Sequence, residues 1–475
     1  MLAAGFLPAY ADTYTATNNS PTTSLDDALS LNDTNIYDGK PSSISASDNL
    51  ELVSTASTAN GGDKIFKTTG DFVANDVVFK STVLGNNVWA YTLLTLKDGT
   101  TAKFNSLTYD GVKCETNNVG VALKLGSGTL DIANSIVFDR AAGGSEANLY
   151  FQDAASTLKV GGDIEIKSKG GNPQLNVSFE SQNITVGGTL KMDSSSASKR
   201  IEIKGGDNVT RNLTFGGWSV SANAGNTIRL GNAKVVNNLK FTNSAAYEFS
   251  GALLNNTWND DFKATKLNIS MEATDAENGR QTMRFTDGSS LVANMDNGKL
   301  GTVSVVNGRL DLGLTSKIAG EKLAINGEKA VFSATGETEG DIGSVSFASF
   351  EGTKGTIVFD FAKDSCDFIK VEGAASAKSE LTFLVNMTKS DFDSFLADGA
   401  TELTYDIMSF QGDRTDFDPT IVCSDTALRG VLNYIPNGGA TTARLTITAA
   451  VPEPAAVAAV LGAAALAFAA YRRRK

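Results

Sequence analysis

The sequence predicts an all-β fold: a right-handed parallel β-helix, or β-solenoid, with irregular coils. Three observations predict it. Short apolar alternations recur between Gly, Asn and Asp turns, and long helical periodicity is nearly absent. A unit of two strands joined by a Gly corner returns at intervals of 26 and 29 residues, measured between Gly161, Gly187 and Gly216. The chain holds 46 Gly but only 8 Pro, so corners are frequent and strands are rarely broken. An antiparallel β-sandwich with Gly hairpins predicts the same alternation and is the competing architecture.

The chain opens "MLAAGFLPAYADTYTA". Ala9 and Ala11 flank Tyr10 in a small-x-small cleavage pattern, so residues 1–11 read as a signal-peptide remnant and Asp12 as the first mature residue. The apolar stretch Leu2–Leu7 is short and no Lys or Arg precedes it, as expected if the start codon is assigned too late. Residues 12–60 read as a loop-rich segment. Asp26, Asp27, Asp33 and Asp38 offer calcium-type oxygen donors there, but in neither EF-hand nor RTX spacing, so the segment reads as a solvated loop.

Residues 61–450 form the solenoid body. Its recurrent units are "LKLGSGTLDI" from Leu123, "LKVGGDIEI" from Leu158, "ITVGGTLKM" from Ile184, "LTFGGWSVS" from Leu213 and "VSVVNGRLDL" from Val303. In the second unit, Leu158, Val160, Ile164 and Ile166 are expected inside, with Lys159, Asp163 and Glu165 outside. Glycine suits a corner that takes φ > 0 or that stacks closely on its neighbour. One coil cannot bury its apolar face alone, so stability comes from stacking. The segment "SDFDSFLADG" predicts one short helix over the last coils, with Ser390 as N-cap, Gly399 as C-cap, and Phe392, Phe395 and Leu396 on its apolar face.

The tail, residues 451–475, has three parts. Pro452-Glu453-Pro454 disfavours helix, and Ala455–Ala470 carries no charge. Arg472, Arg473, Arg474 and Lys475 end the chain as a basic stop. As a helix the apolar run spans roughly 24 Å, short for a bilayer core of about 30 Å. It predicts a marginal transmembrane helix with its basic end in the cytoplasm.

Composition excludes several classes. There is no His, which removes Ser-His-Asp and Cys-His catalysis and His-ligated zinc. Net charge is −12. The residues after Val451 carry one Glu and four cations, so the body alone carries −15. That balance argues against nucleic acid as a partner. Cys114, Cys366 and Cys423 include no Cys-x-x-Cys; Cys366 with Cys423 is a candidate disulfide, and isolated half-buried thiols are the default.

The order Val451-Pro452-Glu453-Pro454, apolar helix, Arg cluster resembles the PEP-CTERM sorting signal of diderm bacteria, catalogued in some schemes as an ice-binding-protein C-terminal domain. The resemblance covers about 25 residues. It implies an exosortase-type processing enzyme as partner, an inner-membrane intermediate, cleavage near the Pro-Glu-Pro, and delivery to the cell surface or extracellular matrix. The Gly-corner body, and "GTIVFDFAKDSCDFIKVEGAASAKSELTFLV" from Gly355, resemble the passenger regions of autotransporters, although no barrel of alternating strands follows.

The leading functional expectation is a non-enzymatic surface or matrix protein, an adhesin or biofilm component, needing no cofactor and meeting extracellular polysaccharide. The alternative is a secreted β-helix enzyme acting on polysaccharide. For that alternative, Asp360, Asp364 and Asp367 near Lys363 are the candidate acid cluster, as in pectate-lyase-like β-helices, against a polar turn between strands. Trp89, Trp218 and Trp258 are either sugar platforms or packing residues. A groove lined by carboxylates and cations from adjacent coils would mark the enzyme. An aligned column of surface Thr or Asn would mark lattice or ice binding, and no regular Thr-x-Thr array is visible.

Overall fold

Leu158 and Val160 are buried, Lys159 is exposed, and the corner at Gly161 turns the chain so that Ile164 and Ile166 are again buried. This unit, repeated, builds a right-handed β-solenoid that is nearly all β. The computed structural model describes residues 12–18, 29–31, 44–56, 64–83, 90–111, 119–124, 127–140, 147–152, 156–168, 175–179, 181–192, 199–203, 209–220, 226–230, 235–242, 244–254, 266–274, 281–286, 299–313, 318–334, 342–412, 414 and 416–450.

Three parallel faces run along the stack. The first begins with Thr13–Asn18 against Asn49–Ala56 and continues through the second halves of Phe72–Val83 and Thr101–Gly111 to Ile136–Arg140 and Ile164–Ser168. The second joins the starts of those long strands to Thr129–Ile132, Thr157–Val160, Asn183–Met192, Thr210–Val220, Val236–Phe241 and Lys266–Glu272. The third runs from Leu29–Ser30 to Ala252–Leu254. Parallel pairing throughout these faces excludes the antiparallel sandwich for the body. Strands also begin earlier than the expected boundary at residue 61, because Tyr14, Ala16, Leu50 and Leu52 alternate inward and join the core.

The Gly corners are set by close approach. A Cβ at Gly161 would lie 2.1 Å from the Ala133 carbonyl oxygen, and one at Gly187 2.5 Å from the Gly161 oxygen. Real Cβ atoms do not come this near, so each corner leaves room for the next. Gly308, in a later coil, is instead required by its φ of +82°.

The interior is a continuous apolar column. Trp218 packs within 5.2–6.4 Å of the rings of Phe215, Phe241, Phe249 and Phe285. Among the polar residues buried along it is Arg211, whose Nη1 donates to the Ile203 carbonyl oxygen at 2.8 Å. On the first face, Asp311 is also fully buried and accepts from Arg309 Nε at 2.6 Å and from Arg284 Nη2 at 3.3 Å. Burial pushes its carboxyl up, and the two guanidiniums pull it back only part of the way.

The C-terminal end changes pairing. Glu402–Gln411 lies parallel to Phe368–Ala377 on one edge and antiparallel to Ala440–Ala449 on the other. Leu428–Asn437 then forms an antiparallel hairpin with Ala440–Ala449. These strands close the second face, a task expected of the helix. The helix is Lys389–Phe395 and its N-cap is Thr388, not Ser390. The reason is a capping box: Thr388 Oγ1 accepts from Asp391 N at 3.1 Å, and Asp391 Oδ2 accepts from Thr388 N at 3.2 Å. The C-cap is Leu396, not Gly399, and Phe392 is the helical side chain that enters the core.

Candidate binding face

Eight successive coils of the second face share one local pattern: Thr or Asn, an apolar residue, an outward residue, an apolar residue. The segments are TAKF, TLDI, TLKV, NITV, NLTF, NLKF, NISM and TVSV. Parallel register stacks their first residues into one outward column: Thr101, Thr129, Thr157, Asn183, Asn212, Asn238, Asn268 and Thr302. At the usual strand spacing the column is roughly 34 Å long. Each member is half-buried or exposed, while the apolar positions beside it are buried.

The asparagines form a hydrogen-bonded ladder. Asn212 Nδ2 donates to Asn183 Oδ1 at 3.1 Å, Asn238 to Asn212 at 3.1 Å and Asn268 to Asn238 at 2.8 Å. Asn268 Oδ1 in turn accepts the Thr302 backbone N–H at 2.8 Å. Gly301 makes this last contact feasible, since a Cβ there would lie 2.0 Å from Asn268 Oδ1. At the other end, Asp71 Oδ1 accepts the Thr101 backbone N–H at 2.8 Å. Each bridging amide spends one N–H and one oxygen lone pair in the ladder and keeps the others for an outside partner.

The neighbouring outward column is mixed. It reads Lys103, Asp131, Lys159, Thr185, Thr214, Lys240, Ser270 and Ser304. The face is therefore a line of neutral donors and acceptors beside scattered charges, and not a Thr-x-Thr array. No family model and no curated protein matches the chain. The face must be read from its own chemistry.

The acid cluster expected from sequence takes a different form. Asp367 is buried; its Oδ1 accepts Gly343 N at 2.8 Å and its Oδ2 accepts Asp360 N at 3.1 Å. Asp360 is buried as well and accepts Asn386 Nδ2 at 2.6 Å. These carboxylates hold the base of a two-strand turn, while Lys363 and Asp364 sit exposed at its tip. The four residues do not converge on one exposed point.

Trp218 is fully buried and offers no sugar platform; Trp89 and Trp258 lie outside the described residues. So do Asp26, Asp27, Asp33, Asp38, Cys114, Ala9, Ala11, the sorting residues Val451–Pro454 and the basic stop Arg472–Lys475. Cys366 and Cys423 are separate half-buried thiols. Burial, with Asp367 and Asp406 nearby, pushes the Cys366 thiol up to about 12. Among the described residues no cluster of three or more Cys, Asp or Glu could hold a metal ion, and no helix is long and apolar enough to cross a membrane.

Sequence reasoning missed the Thr/Asn column. Its signal was present in the four-residue pattern, but the interval between successive members drifts from 26 to 34 residues. Only the backbone register brings them together.

Proposed function

We propose that the chain is an exported, non-enzymatic β-solenoid protein of the cell surface or extracellular matrix, an adhesin or biofilm component. The observation that carries this reading is the Thr/Asn column: a straight, neutral, repeating hydrogen-bonding edge on a rigid stack. Such an edge matches a partner that itself repeats, such as an extended extracellular polysaccharide, because several weak contacts add along one line. Ice or another flat lattice is a poorer match, since Lys103, Asp131 and Lys159 stand beside the column and break the flatness and neutrality of the face.

The tail supplies the route. In this reading Ala455–Ala470 crosses the inner membrane with Arg472–Lys475 in the cytoplasm, and Pro452-Glu453-Pro454 stays extended just outside for an exosortase-type enzyme. A helix marginal in length and hydrophobicity suits a transient intermediate. Cleavage then releases a body of net charge −15. Mass spectrometry of the protein from its native host tests this. A mature C-terminus close to Val451–Pro454 in surface or matrix fractions is expected. Intact Arg472–Lys475 on surface-fraction protein would refute processing. So would normal surface delivery of a variant with Pro452, Glu453 and Pro454 all changed to Ala.

A further inference from the structure

The C-terminal hairpin builds a cleft of about 650 Å³. Its walls come from Leu428–Asn437, from the start of Ala440–Ala449, and from Gly412 and Arg414. This volume lies within the range of small-molecule sites. Among the described residues that line it none is acidic, and Arg414 is their one cation.

Arg414 differs from the cations that pair across the stack. Across the stack, Lys80, Lys191, Lys240, Lys266 and Lys322 each reach a carboxylate within 2.6 Å. Arg414 makes no ion pair among the described residues. Its guanidinium lies instead over the Tyr434 ring, 5.1 Å from the centroid. The ring takes no N–H donor in an ion pair, and an exposed guanidinium held there can take a carboxylate in two parallel hydrogen bonds.

The platform beneath is fixed. Tyr434 donates its hydroxyl to the Phe417 carbonyl oxygen at 3.1 Å and meets the Phe417 ring edge-on at 6.1 Å. Phe417 is buried and stacks on Phe410 at 4.6 Å. Burial, with Asp418 nearby, pushes the Tyr434 phenol up to about 12 against the pull of Arg414, so the platform stays neutral. The rim is pinned as well. Thr441 Oγ1 donates to the Gly412 carbonyl oxygen at 2.6 Å, and Gly412 N donates to the Gly439 oxygen at 3.0 Å. A cation held on a rigid aromatic, with Leu432 and Pro436 as apolar walls, is preorganised for a ring-bearing anion.

We propose that this cleft binds an oligosaccharide carrying an isolated carboxylate, a uronic acid unit set between neutral sugars. Arg414 grips the carboxylate, while Leu432 and Pro436 pack against the sugar carbons. One cation selects for one negative charge. A net charge of −12 on the chain repels a densely charged polyanion. A neutral sugar would bury the Arg414 edge without a partner and forfeit its charge-assisted hydrogen bonds. The assignment deepens the matrix reading by naming a ligand class, and its test is independent of the tail. Failed binding by a properly processed protein removes only this assignment. Binding by a protein that never leaves the cell leaves the assignment and removes its setting.

The test is calorimetric titration of the purified full chain with a tetrasaccharide alternating glucuronate and N-acetylglucosamine. Its carboxyl-reduced counterpart and an acetylated tripeptide with a free C-terminal carboxylate serve as comparisons. The acidic tetrasaccharide is expected to bind, with the reduced form about tenfold weaker or worse. Arg414→Gln is expected to weaken binding of the acidic form by about tenfold, and Arg414→Lys by less, since charge remains while the planar fork is lost. Arg414 is exposed, so both variants keep the fold, which circular dichroism checks. Affinity is expected to fall as salt rises from about 50 to about 300 mM. The proposal is overturned if the acidic form does not bind at millimolar concentration, if the reduced form binds equally well, if Arg414→Gln changes nothing, or if the tripeptide binds more tightly than the tetrasaccharide.

Discussion

The coils up to residue 302 and those after it hold their register by different chemistry. In the earlier coils the first outward column of the second face is neutral, with Thr hydroxyls and an Asn ladder whose amides hydrogen-bond from rung to rung, and charges such as the Lys240–Glu272 pair stand beside it. In the later coils the same face carries Lys–Glu pairs, with Lys322 bonded to Glu351 at 2.5 Å and Glu321 reaching back to Lys266 at 2.5 Å. The apolar core beneath is continuous through both. The difference teaches that burial builds the stack, while the outward residues decide what the stack shows to its surroundings. A neutral ladder leaves donors and acceptors for a partner; an ion-paired one satisfies itself.

The largest effect expected is common to both regions. Val186→Asp and Leu323→Asp each place an unpaired charge in a fully buried position, and each should cost about 3–5 kcal/mol in denaturant unfolding. A much smaller cost in one region would mean that its core is not continuous with the other. The next effect separates corners from loops. Gly187→Ala forces a Cβ against the Gly161 carbonyl and should cost about 1–3 kcal/mol. Gly70→Ala meets nothing within 4 Å and should be neutral or slightly stabilising. Equal effects would remove close stacking as the reason for the corner glycines.

Smaller again is the ladder. Asn238→Ala breaks two side-chain hydrogen bonds and should cost about 1 kcal/mol, with faster amide exchange confined to neighbouring coils and little dependence on salt. The smallest effect comes from the ion pairs, and the Lys240–Glu272 pair, beside the ladder in the earlier coils, sets the scale. For Glu272, burial raises the carboxyl, but the Lys240 ammonium and Ser270 hydroxyl outweigh it and hold it below the usual range. A depressed folded-state pKa gives stability that is present above the unfolded value and is lost as pH falls through the folded one. Exchange protection around Lys266–Glu272 should therefore weaken toward acid pH, by well under 1 kcal/mol, and weaken slightly in high salt. Protection that rises on acidification would reverse the assignment.

Much of the body was legible in sequence because one residue type dominates each decision. Alternation fixed which side of Leu158–Ile166 is buried, and paired glycines marked corners where no side chain fits. Phe392 was visible, together with Phe395 and Leu396, on the apolar face of a short helix. Other features depend on relations that a single strand does not carry. Glu402–Gln411 and Ala440–Ala449 alternate like any coil strand, and nothing local says that their partners run antiparallel. Arg211 sits at an inward position that alternation alone assigns to an apolar residue; the Ile203 carbonyl, eight residues away, accepts from it. The Thr/Asn column was hidden by unequal coil lengths. The Arg414 cleft joins a turn to a hairpin that only the fold brings together.

The central claim is that the Thr/Asn face is displayed outside the cell on an exported body. Cysteines placed at Thr157 and Asn212, in the full chain expressed in its native host, test it through labelling of intact cells with a membrane-impermeant maleimide. The parent chain sets the background from its own three cysteines. Labelling of both variants on intact cells, well above the parent and lost on prior treatment with an impermeant blocking thiol reagent, is the predicted result. Labelling that appears only after lysis would contradict the claim.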